Sequence, residues 1–158
     1  MSEPALRVVA ASRLHDLRRR VLRGGDASAV VANTHDDDPT SLHVAVVLGD
    51  DVLASASYFL EPSPDAPGIL AYQVRYVATD PAWQGRGLGA AVLAAGEEEL
   101  RRRGVALVWA NARDSALDFY RHRGWTVVEG SAHVSAETQL PHHRIFKELI
   151  EAAPTTSA

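Results

Sequence analysis

Apolar positions recur along the chain at two spacings, every second residue and every third or fourth, and stretches of the two kinds alternate. Residues 6–9 form a short β-like run. Leu14, Leu17 and Val21 then recur at i, i+3 and i+7, which predicts a helix capped by Ser12 and stopped by Gly24-Gly25. Residues 42–48 and 52–60 are β-rich runs around Gly49-Asp50-Asp51, a hairpin signal. The Pro-rich stretch 61–68 reads as a loop, and 69–79 as a longer strand ended by Asp80-Pro81. Residues 88–103 carry a helical stripe of Leu88, Val92 and Leu100, ended by Gly104. Residues 105–110 have the character of a buried strand. A short helix with Leu117 and Tyr120 follows, capped by Asp114 or Ser115 and stopped by Gly124. Residues 125–128 and 143–149 read as final strands. The order β α β β β α β α β β predicts an α/β domain with a mixed sheet.

Length and composition narrow the class. A chain of 158 residues with 46% hydrophobic and 23% charged residues suits one globular domain, expected over 1–151, with 152–158 a small, polar, disordered tail. The net charge is −4 and neither half is basic, so a general grip on nucleic acid phosphates is not expected. No apolar run approaches the ~18 residues of a membrane span, and Met1-Ser2-Glu3-Pro4 lacks the features of a signal peptide. Cysteine is absent, which excludes disulfides, thiolate metal sites and a cysteine nucleophile. A cytoplasmic location is expected, without a nucleic acid, membrane or metal partner. Glu97–Arg101, Glu98–Arg102 and Glu99–Arg103 are spaced as i,i+4 helix pairs.

The chemistry concentrates in one segment. After the strand ending at Thr79, Gln84-Gly85-Arg86-Gly87-Leu88-Gly89-Ala90 opens a helix. Glycines let a ligand approach backbone N–H groups, and the helix N-terminus adds partial positive charge. Together these predict a phosphate cradle. A P-loop would need Lys-Ser/Thr after the glycines. The letters Gly85-x-Gly87-x-x-Ala90 also match a dinucleotide fingerprint, but the next strand ends Trp109-Ala110-Asn111-Ala112-Arg113 without the required acid.

Gln84-Gly85-Arg86-Gly87-Leu88-Gly89 resembles the Gln/Arg-x-x-Gly-x-Gly/Ala loop of the GNAT superfamily of acyl-CoA-dependent N-acetyltransferases. The segment from Asn111 through Ala116 and Tyr120 to Gly124-Trp125 is similar to that family's Asn-x-x-x-Ala-x-x-x-Tyr-x-x-x-Gly-Phe pattern, with Trp125 in place of Phe. The resemblance covers roughly residues 42–149. A subgroup with Gln-x-Arg before the loop, Trp-x-Asn-Ala-Arg after it and a late Pro-His is matched by Gln73-Val74-Arg75, by Trp109-Ala110-Asn111-Ala112-Arg113 and by Pro141-His142.

The resemblance implies a GNAT fold. Its central mixed, largely antiparallel sheet is splayed between the strands flanking the loop helix, with helices on both faces. It implies acetyl-CoA as co-substrate, held by Val77, Ala78 and Thr79 through the pantetheine arm. Gln84, Gly85, Arg86, Gly87, Leu88, Gly89 and Ala90 would hold the pyrophosphate, with Asn111 and Tyr120 near the thioester. The acceptor would be an amine of a small molecule or peptide, attacking directly in a ternary complex. Homodimers are frequent in the superfamily. Tyr120, with tyrosine near ~10 and the thiol near ~8.5, is expected to protonate the leaving thiolate. An amine of pKa ~10.4 needs a base, and the strand before the loop holds no acid. Glu61, His142 and His143 are the candidates. The missing strand carboxylate keeps a catalytically silent acyl-CoA-binding module as the alternative. Asp36-Asp37-Asp38 could attract a cationic amine, although such a run is ordinarily a solvated face. An arginine of the first helix (Arg18, Arg19, Arg20 or Arg23) or Arg75 would suit a carboxylate on an amino-acid-like acceptor.

Overall fold

Strand β1 (Ala5–Val8) leads through a 3-10 turn (Ala11–Leu14) into helix α1 (His15–Leu22). The structure, a computed structural model, describes residues 3–150; the expected tail 152–158 lies outside the described residues. Strands β2 (Leu42–Leu48), β3 (Asp51–Leu60) and β4 (Ala71–Thr79) follow as a meander, then helix α2 (Leu88–Arg102) and strand β5 (Leu107–Arg113). Helix α3 (Leu117–Arg121) and strands β6 (Thr126–Val127), β7 (His133–Val134) and β8 (Pro141–Glu148) complete the domain. The sheet order is β1-β2-β3-β4-β5-β8-β6, with β7 paired to β8. Every pairing is antiparallel except β4 with β5, which the crossover through α2 makes parallel.

That parallel pair positions the site. Its register spans only Ala71↔Leu107, Tyr72↔Val108 and Gln73↔Trp109, after which the strands diverge. Tyr76, at φ 57, sits beside an irregularity in the β3·β4 ladder and turns β4 away at the split. The mixed, largely antiparallel sheet splayed at this point is the expected GNAT architecture.

Helices cover both faces. Residues of α2 and α3 pack with Leu42, Tyr58, Val74, Val108 and Ile145 in the main core. Leu14 and Leu17 pack with Ala45, Val52 and Ala78 in a second cluster. Gly96 is required by contact: a methyl group there would overlap the Tyr58 ring.

Several local expectations are corrected. Ser12 caps nothing, because α1 is entered from a 3-10 turn without a side-chain cap. Neither Asp114 nor Ser115 caps α3, for the same reason. Asp114 instead binds His143 Nδ1 at 2.6 Å. Glu97 faces inward and pairs with Lys147 at 2.6 Å rather than with Arg101. The last strand begins at Pro141, two residues before its expected start, because its first residues pair with β7.

Candidate active site

Two cavities meet at the split between β4 and β5, and Val77 lines both. The smaller, about 420 Å³, is lined by Val77, Ala78 and Thr79 on one side and by Gln84, Gly85 and the residues from Gly87 to Ala90 on the other. Gly87 precedes α2 at φ 77, in the left-handed region that favours glycine. The backbone N–H groups from Gln84 to Ala90 have no acceptor among the described residues. Orphan N–H groups at the start of a 15-residue helix form an anion site. Arg123 also lines this cavity, stacked 3.8 Å from the Phe119 ring, and its buried Nε has no partner among the described residues. The residues therefore fit a bound pyrophosphate. The Arg86 side chain does not join them; it stacks on Trp83 at 4.5 Å.

The larger cavity, about 530 Å³, lies on the other side of Val77. Gln73, Arg75, Asn111, Arg113, Tyr120 and His142 all line it. Asn111 thus lies in the cavity that Val77 and Tyr120 also line. It precedes Ala116 by five residues, one more than the family pattern, and a short 3-10 turn (Asp114–Ala116) lies between β5 and α3. Tyr120 is 8% exposed and packs edge-on against Phe119 and Trp125. Burial pushes its phenol up to about 12. A phenol at about 12 is a weaker acid than a thiol at ~8.5, so the transfer has no favourable driving force of the kind expected. Even an ordinary phenol at ~10 would give up its proton to a thiolate uphill. Tyr120 can still donate a hydrogen bond to a developing thiolate.

His142 is 7% exposed, and its Nδ1 donates to the Leu140 carbonyl at 2.8 Å. A carbonyl only accepts, so the neutral ring keeps its lone pair on Nε2. His143 is tied to Asp114 and lines neither cavity. Glu61 is not brought to the site. It lies where β4 begins, its N–H donating to the Ala71 carbonyl and its own carbonyl accepting from Trp109 Nε1 at 2.9 Å.

The first acid of the run, Asp36, is not free to attract an amine. Asp36 is buried and bound by Arg18 at 2.8 and 3.1 Å. Burial raises its pKa, but hydrogen bonds from Arg18 and the Asn33 N–H outweigh that and hold it below the ordinary carboxylate range. Arg18 also bonds Ser57 Oγ at 2.8 Å and stacks 4.3 Å from the Tyr76 ring. Sequence reasoning misses Arg123, which occupies a variable position within the Asn111–Trp125 motif, and His133 and Glu137, which lie where no motif singles them out.

Residues 11–125 match the Acetyltransferase (GNAT) family. The chain belongs to the GNAT acetyltransferase family. It is an acyltransferase. The uncharacterized N-acetyltransferase YitI of Bacillus subtilis (strain 168) is 26% identical over 111 residues, covering 70% of this chain and 74% of that protein. Among solved structures, an aminoglycoside 6'-N-acetyltransferase complexed with coenzyme A superposes with a TM-score of 0.75 at 14% identity, covering 94% of this chain and 98% of that one. FeeM, an N-acyl amino acid synthase from uncultured soil microbes, gives 0.73 at 13% identity, covering 94% and 92%. No described helix is long and apolar enough to cross a membrane.

Proposed function

We propose that the protein transfers an acetyl group from acetyl-CoA to an amine of a small molecule or peptide by direct attack in a ternary complex. The observation that carries this reading is the meeting of the two cavities at Val77, with an unsatisfied row of N–H groups on one side and the Tyr120 hydroxyl and His142 on the other. Acetyl-CoA supplies an activated acyl thioester.

The loop amides from Gln84 to Ala90 hold the pyrophosphate, aided by Arg123, and β4 aligns the pantetheine arm along Val77, Ala78 and Thr79. The N–H of Val77 or Ala78 polarises the carbonyl. His142 Nε2 takes a proton from the ammonium form of the acceptor and leaves a neutral nucleophile. The imidazole releases that proton to water. As the C–N bond forms and the C–S bond breaks, the nitrogen gives one more proton to water and the thiolate, of pKa ~8.5, takes one from water. Tyr120 donates a hydrogen bond to the sulfur as charge develops there.

Purified protein incubated with acetyl-CoA and pooled amines, with free thiol followed, tests this. Amine-dependent thiol release is expected. Release at background for every amine class, with CoA still bound, would leave the silent acyl-CoA-binding module.

A further inference from the structure

We infer that the acceptor carries a carboxylate close to its amine, gripped by Arg113 and Arg75 in the larger cavity. This rests on the acyltransferase reading and names its substrate class. Arg23, Arg75 and Arg113 line that cavity against one carboxylate, Glu137. The lining thus has a surplus of positive charge within a chain of net charge −4.

Two of the arginines already hold a carboxylate. Glu137 Oε2 accepts from Arg23 Nη2 at 3.2 Å and its Oε1 from Arg75 Nη2 at 3.3 Å. Glu137 is exposed, on the turn between β7 and β8. The third arginine is different: the Arg113 side chain is half-buried and makes no hydrogen bond or ion pair among the described residues. A guanidinium with its donors unused in a cavity is suited to a planar carboxylate.

Its place in the sheet adds direction. Arg113 pairs with His142 across β5 and β8. Side chains directly opposite lie on the same face of the sheet, with Cβ atoms about 5 Å apart. A carboxylate on Arg113 therefore leaves the amine on the side of His142. Arg75 is steadied by the Tyr76 ring 5.0 Å away, which also stacks with Arg18. A polycationic amine would meet like charges here.

Rates and calorimetric binding to the CoA complex are compared for α-amino acids, their C-terminal amides and spermidine. The acids should exceed their own amides by at least about tenfold in kcat/KM, although the amides are the less basic and more readily deprotonated amines. Arg113→Gln should bring that ratio close to one through KM, with CoA affinity kept within about twofold, and Arg113→Lys should restore part of it. Arg75→Gln should act in the same direction. Amides or spermidine used as well as the acids, or a ratio unchanged in both glutamine variants, would overturn the inference while leaving the transferase reading intact. If no amine releases thiol, the transferase reading fails, and the binding arm decides: no preference for acids over amides overturns the inference too.

Discussion

The two cavities that meet at Val77 are built from different parts of the chain. The smaller is made of backbone: the strand edge at Val77, Ala78 and Thr79 and the N–H groups of one loop, with Gly87 left-handed at the helix start. The larger is made of side chains from α1, β4, β5, α3 and the β7–β8 hairpin. A backbone site recognises the phosphates common to every acyl-CoA and tolerates little change in the loop. A side-chain site can be re-lined residue by residue to suit a different acceptor.

The largest disturbance expected is to the support of the larger cavity. Asp36→Asn leaves Arg18 buried without its counter-charge, and breaking a buried pair costs about 3–5 kcal/mol. A fall in thermal midpoint is expected, with an altered acceptor KM because Arg18 backs Tyr76. CoA affinity of the folded fraction should be kept. An unchanged midpoint would show that the pair supports little.

Gly87→Glu attacks the other cavity. It combines a strained left-handed residue with negative charge at the helix N-terminus, and calorimetry should show CoA affinity falling at least about 100-fold, about 2.7 kcal/mol. Retained affinity would mean that the loop is not the pyrophosphate site. Tyr120→Phe acts between the cavities. Loss of a hydrogen bond to a charged group predicts a fall in kcat of about tenfold to 100-fold with CoA affinity unchanged. An unaffected kcat would remove Tyr120 from the mechanism.

Alkaline unfolding sharpens the same residue. Below pH ~10 the Tyr120 phenol is protonated in both folded and unfolded chains and gives no pH dependence. Above it the unfolded chain ionises first, because the folded value is about 12, so stability falls by about 3 kcal/mol towards pH 12. Tyr120→Phe should lose that part of the slope in denaturant titrations followed with pH.

The same division governs what is legible in the sequence. The cradle can be read because its atoms come from one contiguous loop, and the strand and helix around it have clear periodicity. Tyr120 can be read because one helical turn carries it in a spaced motif. His133 and Glu137 cannot, since the hairpin that carries them begins with a strand of only two residues, His133–Val134. The position of Glu61 after β3 suggests the site, but the register puts it at the closed end of the split. Asp36 reads as a solvated acid because nothing local shows that Arg18 is buried against it.

Initial rates measured while both acetyl-CoA and an amine are varied test the central claim most directly. A ternary complex formed across Val77 predicts thiol release that needs the amine, saturates in both substrates and gives intersecting double-reciprocal lines. Parallel lines, or thiol release independent of the amine, would contradict it.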